Sequence, residues 1–335
     1  MSFPVDRANY RSFPSDWAGE VFVCDIDRTY LATRFSTLKG LLRIPFESAV
    51  DKVAIAGMAA LLKEVRRGPG AQSRHTPLYF VSASPAELRP VIERKMLLDG
   101  LEYDGTTFKS WTGVARGLRP SRLREQLGYK LTALLQARLE LPPGARELLL
   151  GDDTECDALA AALYADLLAG RLPLAQVPAL LVRQGVLPAD AEAIAELSVR
   201  AGQASAVAGA FIRLELRQPR DLIEYAPWVQ PVRGAFQMAA ALFGRGSIGL
   251  RGLLRVAAEL LSRGVTRVEL ADLLVDALRR GVLPLAQGEP VQQALLAAGL
   301  LGLPQALPEA VDPDWARVLA RDPAEPWTPA RYFRG

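Results

Sequence analysis

Cysteine and histidine are almost absent from this chain. Two cysteines, Cys24 and Cys156, and one histidine, His75, occur in 335 residues. Two thiols so placed make neither a disulfide framework nor a zinc site, and one imidazole excludes a multi-histidine metal centre. Charge of one sign is lacking too. The 40 Lys+Arg stand against 37 Asp+Glu, and a balance of +3 gives no reason to expect nucleic acid. Long apolar runs are missing as well. The uncharged stretch from Pro290 to Pro308 is broken by prolines and glutamines, and its apolar heart, Ala294 to Leu303, is too short to span a bilayer. The opening MSFPVDRANYRSFPSDW has no continuous apolar segment of the kind a signal peptide needs. The expectation is a reduced, cytoplasmic protein with no transmembrane segment.

What is present is an alternation of short β-rich runs and helical patterns, the mark of an α/β domain with a parallel sheet. Val21-Phe22-Val23-Cys24 reads as a buried strand that ends in Asp25-Ile26-Asp27. Leu78-Tyr79-Phe80-Val81 reads as a second, followed by Ser82-Ala83-Ser84-Pro85-Ala86-Glu87, a predicted helix start with Ser84 as its cap. Residues 51–66 and 121–139 have helical spacing, the latter carrying Lys130. Glu147 to Leu150 is a third strand, running into Gly151-Asp152-Asp153, and Phe211 to Leu216 a fourth. From Gly234 the pattern is wholly helical, with Thr266 and Glu269 set as a capping box before Leu270. The tail after Pro308 reads as an irregular end. The predicted architecture is a three-layer, Rossmann-like domain over residues 1–232, followed by an all-α domain over 233–335.

Four features sit at predicted strand ends or on adjoining helices: Asp25-x-Asp27-x-Thr29, Ser82, Lys130, and Gly151-Asp152-x-x-x-x-Asp157. In an open parallel sheet, ligands bind at the carboxyl ends of the strands. Carboxylates gathered in one cleft repel by about 4 kcal/mol per pair at about 4 Å and an effective dielectric of about 20. A hard divalent cation relieves that repulsion, and a donor set without thiol or imidazole points to Mg²⁺. A phosphate brought to such a site faces an aspartate able to attack it, which would give an aspartyl-phosphate. Ser82 suits a phosphate oxygen, and Lys130 supplies fixed positive charge. Each feature alone has a plainer reading: a turn, a helix cap, a solvated lysine, or the Asp-x-Asp of a glycosyltransferase. Their order and placement together favour phosphoryl chemistry.

In that order the four motifs resemble the haloacid-dehalogenase (HAD) phosphatases. The segments Thr76-Pro77-Leu78-Tyr79-Phe80-Val81-Ser82-Ala83-Ser84-Pro85 and Gly151-Asp152-Asp153-Thr154-Glu155-Cys156-Asp157 are similar to those of Mg²⁺-dependent phosphatidate phosphatases of the actin-patch type. The resemblance implies Asp25 as nucleophile and metal ligand. It implies Asp27 as acid/base, with its carbonyl on the metal, and Thr29 as the residue that orients Asp27. Asp152 would be a further ligand, with Asp153 or Asp157 as the second acid at the metal or beside Lys130. Arg28 stands where the family has an aspartate, and is taken as a substrate contact with Thr29 and Ser82. The implied substrate is a phosphorylated small molecule or lipid headgroup. The short linker from Tyr30 to Val50 implies a cleft without a large cap. The rival reading is a non-catalytic protein that keeps this fold and docks a protein partner on its helical half. The basic stretch Arg116, Arg119, Arg122 and Arg124 reads as a solvated face.

Overall fold

A computed structural model describes residues 5–32, 49–110, 122–202 and 204–322. Most of the Tyr30–Val50 linker and the side chains of the Arg116–Arg124 stretch lie outside the described residues. Seven strands form one sheet: β1 (Val5–Asn9), β2 (Gly19–Asp25), β3 (Leu78–Pro85), β4 (Gly105–Lys109), β5 (Ala145–Asp152), β6 (Val207–Arg213) and β7 (Val229–Val232). Their order is β1-β4-β3-β2-β5-β6-β7. β1 runs antiparallel to β4, and every other pairing is parallel. The chain leaves β2 towards β3 on one side and later returns to β5 on the other. The carboxyl end of β2 therefore faces the switch point where an open sheet presents its cleft.

The described helices are α1 (Met58–Arg67), α2 (Arg89–Leu98), α3 (Arg122–Arg138), α4 (Asp157–Leu168), α5 (Val177–Arg183), α6 (Pro188–Ala201), α7 (Ala235–Gly244), α8 (Leu250–Ser262), α9 (Arg267–Arg279), α10 (Gly288–Ala297) and α11 (Pro313–Leu319). Period-two alternation divides the strand residues between two cores. Phe22, Cys24, Phe80, Leu148 and Leu150 point to one side, where they meet α1, α2 and α7 to α10. Val21, Val23, Tyr79, Val81 and Leu149 point to the other, against α3 to α6. The result is helix layer, sheet, helix layer.

The C-terminal helices form where their stripes predict, and Thr266 and Glu269 make the expected reciprocal cap. One hydrophobic cluster crosses the expected boundary at residue 232, joining Phe22 and Phe80 of the sheet to Phe236, Val256, Leu274 and Leu295. Each such buried side chain is worth about 1.5–3 kcal/mol relative to exposure. Arg255 of α8 also reaches Glu64 of α1 at 2.6 Å. The tail holds more order than its composition implies, since Pro313 begins α11 and Trp315 is buried beside Ala226. Ser84 is not a helix cap. β3 runs on through Pro85, a 3-10 turn spans Ala86–Leu88, and α2 starts at Arg89 without a side-chain cap.

Candidate active site

β2 and β5 lie side by side, so Asp25 and Asp152 leave the sheet as neighbours. Asp157 opens α4, where a helix N-terminus favours negative charge. Carboxylate oxygens of these three lie within 4.8 Å of one another. Gly151 makes this approach possible, because a Cβ there would stand 2.7 Å from the Cβ of Asp157. Asp157 Oδ2 accepts the N–H of Asp152 at 3.1 Å, which locks the helix start onto the strand end.

Lys130 projects from α3 into the same space. Its Nζ lies 3.0 Å from Asp25 Oδ1 and 3.1 Å from Glu155 Oε2, and it donates to Asp157 Oδ1. Asp152 is held on both oxygens, by the Thr29 hydroxyl at 3.3 Å and by the N–H of Thr154 at 2.6 Å. Asp25 differs. One oxygen meets Lys130, while Oδ2 is buried with no hydrogen-bond partner among the described residues.

Among the described residues, four carboxylates thus surround one ammonium. Burial, followed by the charge of Asp157, holds the Asp25 carboxyl well above the usual carboxylate range in spite of Lys130. The same two causes raise Asp152 to about 7. Burial pulls Lys130 down, but Asp157, Asp25 and Glu155 outweigh it and keep the amine protonated. The donors are oxygens only, and burial lifts the neighbouring Cys156 thiol far from thiolate formation. An orphaned buried oxygen on Asp25 and an all-carboxylate set fit a hard divalent cation.

Across the cleft, β3 supplies hydroxyls. Ser82 is fully buried, donates to Asp27 Oδ2 at 2.7 Å and accepts the N–H of Ser84 at 3.0 Å. Ser84 donates to the same Asp27 oxygen at 2.8 Å. Ser82 and Ser84, two residues apart on β3, share the face that meets Asp27. The turn after β2 is wound tightly, with the N–H groups of Tyr30 and Leu31 both donating to Ile26 O. Arg28 sits within that turn at φ 61°.

The sequence-predicted residues separate into two groups. Asp25, Asp152, Asp157 and Lys130 meet directly, Thr29 braces Asp152, and Ser82 faces Asp27. Asp153 is not in the acidic cluster. Its carboxylate accepts the backbone N–H groups of Glu215, Leu216 and Arg217 at 2.8, 3.1 and 2.6 Å. The Asp27 carboxylate likewise stands outside the cluster, on the serines. Arg28 pairs with Glu215 at 2.7 Å. His75 precedes β3, at the opposite end of that strand, beside Glu102. Glu155 and Ser84 are site residues that sequence reasoning passed over. Glu155 stands in the quoted fourth segment, and Ser84 two residues beyond Ser82 on one face of an extended strand.

A parallel sheet whose carboxyl edge gathers acids, a buried lysine and hydroxyls defines an α/β protein with a cleft suited to a cation and a phosphate. Residues 21–184 match the family described as "Phosphatidate phosphatase APP1, catalytic domain". HAD membership is consistent with that family. The matched stretch holds the whole acidic cluster, Lys130 and both serines, and ends before β6. No curated protein and no solved structure matches the chain. Among the described residues, no helix is long and apolar enough to cross a membrane.

Proposed function

We propose that the chain is a Mg²⁺-dependent phosphomonoester hydrolase acting on phosphatidate or a lipid like it, with Asp25 as nucleophile. The observation that carries this reading is the asymmetry of Asp25. Lys130 fixes one oxygen while the other, in a carboxylate that belongs to the acidic cluster, is buried and without a hydrogen-bond partner among the described residues. The phosphatidate part rests on the family of residues 21–184.

Asp25 and Asp152, with Asp157 beside them, would hold the cation, which supplies charge neutralisation for the phosphoryl oxygens. An oxygen of Asp25 attacks phosphorus as the bond to the leaving oxygen breaks, and Asp27 in its acid form gives that oxygen a proton. Asp27 then accepts a proton from the water that attacks the aspartyl-phosphate, releasing inorganic phosphate. Lys130, held protonated by three acids, offsets charge on the transferring group. Ser82 would bind a phosphoryl oxygen, and Ser84, which also donates to Asp27, would keep Asp27 aimed when Ser82 is so engaged. The helices of residues 233–335 are assigned no chemistry, and serve to complete the core under β2 and β3.

The test is turnover of a soluble aryl phosphate. Activity should require Mg²⁺ or Mn²⁺, vanish with EDTA and return when the metal is restored. Full turnover in excess EDTA would refute the reading.

A further inference from the structure

Arg28 sits at φ 61° between Asp27 and Thr29. A non-glycine residue in that region costs free energy, and persists only where its surroundings over-determine it. Here both sides of the residue are fixed. Its N–H donates to Leu31 O at 2.8 Å, which closes the turn on itself. Its carbonyl accepts from the guanidinium of Arg213 twice, from Nε at 2.9 Å and from Nη2 at 2.6 Å. Asp25, by contrast, still belongs to β2 and is paired there with Val81 of β3. The nucleophile is carried by the sheet, whereas Asp27 is carried by the turn.

The hold on that turn comes from far along the chain. Arg213 ends β6 and pairs with Asp152 of β5, so its side chain reaches across one strand to the turn that follows β2. Nη2 also bonds the carboxylate of Glu215, whose other oxygen takes Arg28 Nη1 at 2.7 Å. Glu215 is in turn held by Asp153, whose buried carboxylate accepts the N–H groups of residues 215–217. A carboxylate caught by successive backbone N–H groups is a stiff anchor. One chain of contacts thus runs from Asp153 through Glu215 and Arg213 to the peptide between Arg28 and Thr29. Arginine suits this task, because its N–H donors stand in a rigid fork that lysine cannot imitate. Nε and Nη2 are engaged by the Arg28 carbonyl and Glu215, so Arg213 is set to position a turn rather than to take a substrate phosphate. Arg213 and Glu215 lie beyond residues 21–184, and the family match assigns neither.

Resting on the phosphatase reading, we propose that Arg213 is a positioning residue for proton transfer. It holds the Arg28 carbonyl so that Asp27 stays aimed at the leaving oxygen and then at the attacking water. Ser82 and Ser84 orient the Asp27 carboxylate from β3, and Arg213 fixes the backbone that carries it. Without the clamp the turn shifts while Asp25 keeps its place in β2. The steps that need Asp27 then slow, and a misplacement of about 1 Å costs about 10²-fold.

The test is steady-state kinetics of the intact protein in Mg²⁺, comparing an activated aryl phosphate with a soluble alkyl phosphate. An activated aryl leaving group needs no proton, so its kcat/KM reports attack by Asp25 and should hold in Arg213→Met. Its kcat should fall about 10²-fold, and KM with it, because water attack on the phosphoenzyme needs Asp27. Labelled phosphate should accumulate on Asp25 in this variant. With the alkyl phosphate, kcat/KM itself should fall by a similar factor. Arg213→Lys keeps the charge without the fork and should lie between wild type and Arg213→Met. Arg255→Met breaks a pair with Glu64 outside this chain of contacts. It should lower the melting temperature and leave the kinetics on both substrates unchanged. Unchanged kinetics in Arg213→Met overturn the proposal. So does an equal loss of kcat/KM on both substrates, which would make Arg213 a support of the whole site. Should Arg213→Met fail to fold, Glu215→Gln, which loosens the clamp from its more exposed side, is read by the same split. A wild type that turns over neither substrate refutes the catalytic reading and the proposal with it. An active wild type labelled on Asp25, with unaffected Arg213 variants, refutes the clamp alone.

Discussion

The carboxyl edge of the sheet and the helix layer over its Phe22 face bury their residues on opposite terms. At the edge, Asp25, Glu155 and Asp157 share Lys130 with Asp152 close by, and two of the acids are pushed far from their ordinary range. In the layer, Phe236, Val256, Leu274 and Leu295 join the sheet core with little charge among them. The edge gathers like charges that a bound cation would relieve, and the layer supplies apolar burial that offsets their cost. Substitutions in the two regions should therefore differ in kind. Changes at the edge should alter activity and metal dependence, and changes in the layer should alter stability alone.

The largest effect is expected from ending the chain at Val232. This strips α7 to α10 from a cluster they share with β2 and β3. The truncated protein should fail to unfold cooperatively in calorimetry. A soluble truncation with a sharp transition would mean that the helices form a separable domain.

Lys130→Met comes next. It leaves the buried acids without their ammonium, and breaking a buried pair costs about 3–5 kcal/mol. The melting temperature should fall steeply in EDTA and recover in part with Mg²⁺, which would take over some of the neutralisation. By contrast, Leu274→Ala should cost about 2–5 kcal/mol through its cavity and show no such dependence on metal.

Metal binding itself should stabilise wild type by about 2.7 kcal/mol at a hundredfold excess over Kd. Burial and the charge of Asp157 raise the Asp152 carboxyl to about 7 and hold that of Asp25 above the usual carboxylate range, so protons should compete with the cation. Affinity measured by titration calorimetry should weaken as pH falls below about 7. An affinity that stayed constant between pH 8 and 6 would remove these carboxylates from the site.

A smaller effect lies in the sheet but away from the cluster. Burial pushes the Glu147 carboxyl up to about 7, against the opposing pull of Arg138 and the Tyr164 hydroxyl. A raised folded-state value means that the group's contribution is complete below its ordinary 4.5 and is lost as pH rises through 7. Wild type should thus lose about 2 kcal/mol between pH 5 and 7.5 from this group. Glu147→Gln should flatten that slope in denaturant titrations without affecting turnover.

Much of this division was legible in the residues. β2, β3 and β5 are short apolar runs that end in Asp, Ser and Gly-Asp, so both the strands and the chemistry at their ends could be read together. β1 and β4 escaped because Val5-Asp-Arg-Ala-Asn9 and Gly105-Thr-Thr-Phe-Lys109 are polar and short. They become strands through their antiparallel pairing, and Thr106 is satisfied within the fold by Glu93. Asp152 and Asp153 are adjacent and chemically identical in the sequence. Only the strand's alternation and the position of residues 215–217 send one to the cluster and the other to backbone amides. Ser84 read as a cap because Ser-Pro-x-Glu is also a helix-start pattern. β3 runs on through it instead, and alternation sets its hydroxyl beside that of Ser82 on Asp27.

The central claim, that Asp25 carries the phosphoryl group while Asp27 moves protons, is tested most directly by single-turnover trapping of labelled phosphate followed by peptide mapping. In wild type and in Asp27→Asn, label is expected on Asp25. With an activated aryl phosphate it should accumulate in Asp27→Asn, whose overall turnover should fall about 10²–10⁴-fold because water attack lacks its base. Asp25→Asn should take up no label and turn over nothing. Label on Asp27, on Ser82, or anywhere in Asp25→Asn protein would contradict the mechanism.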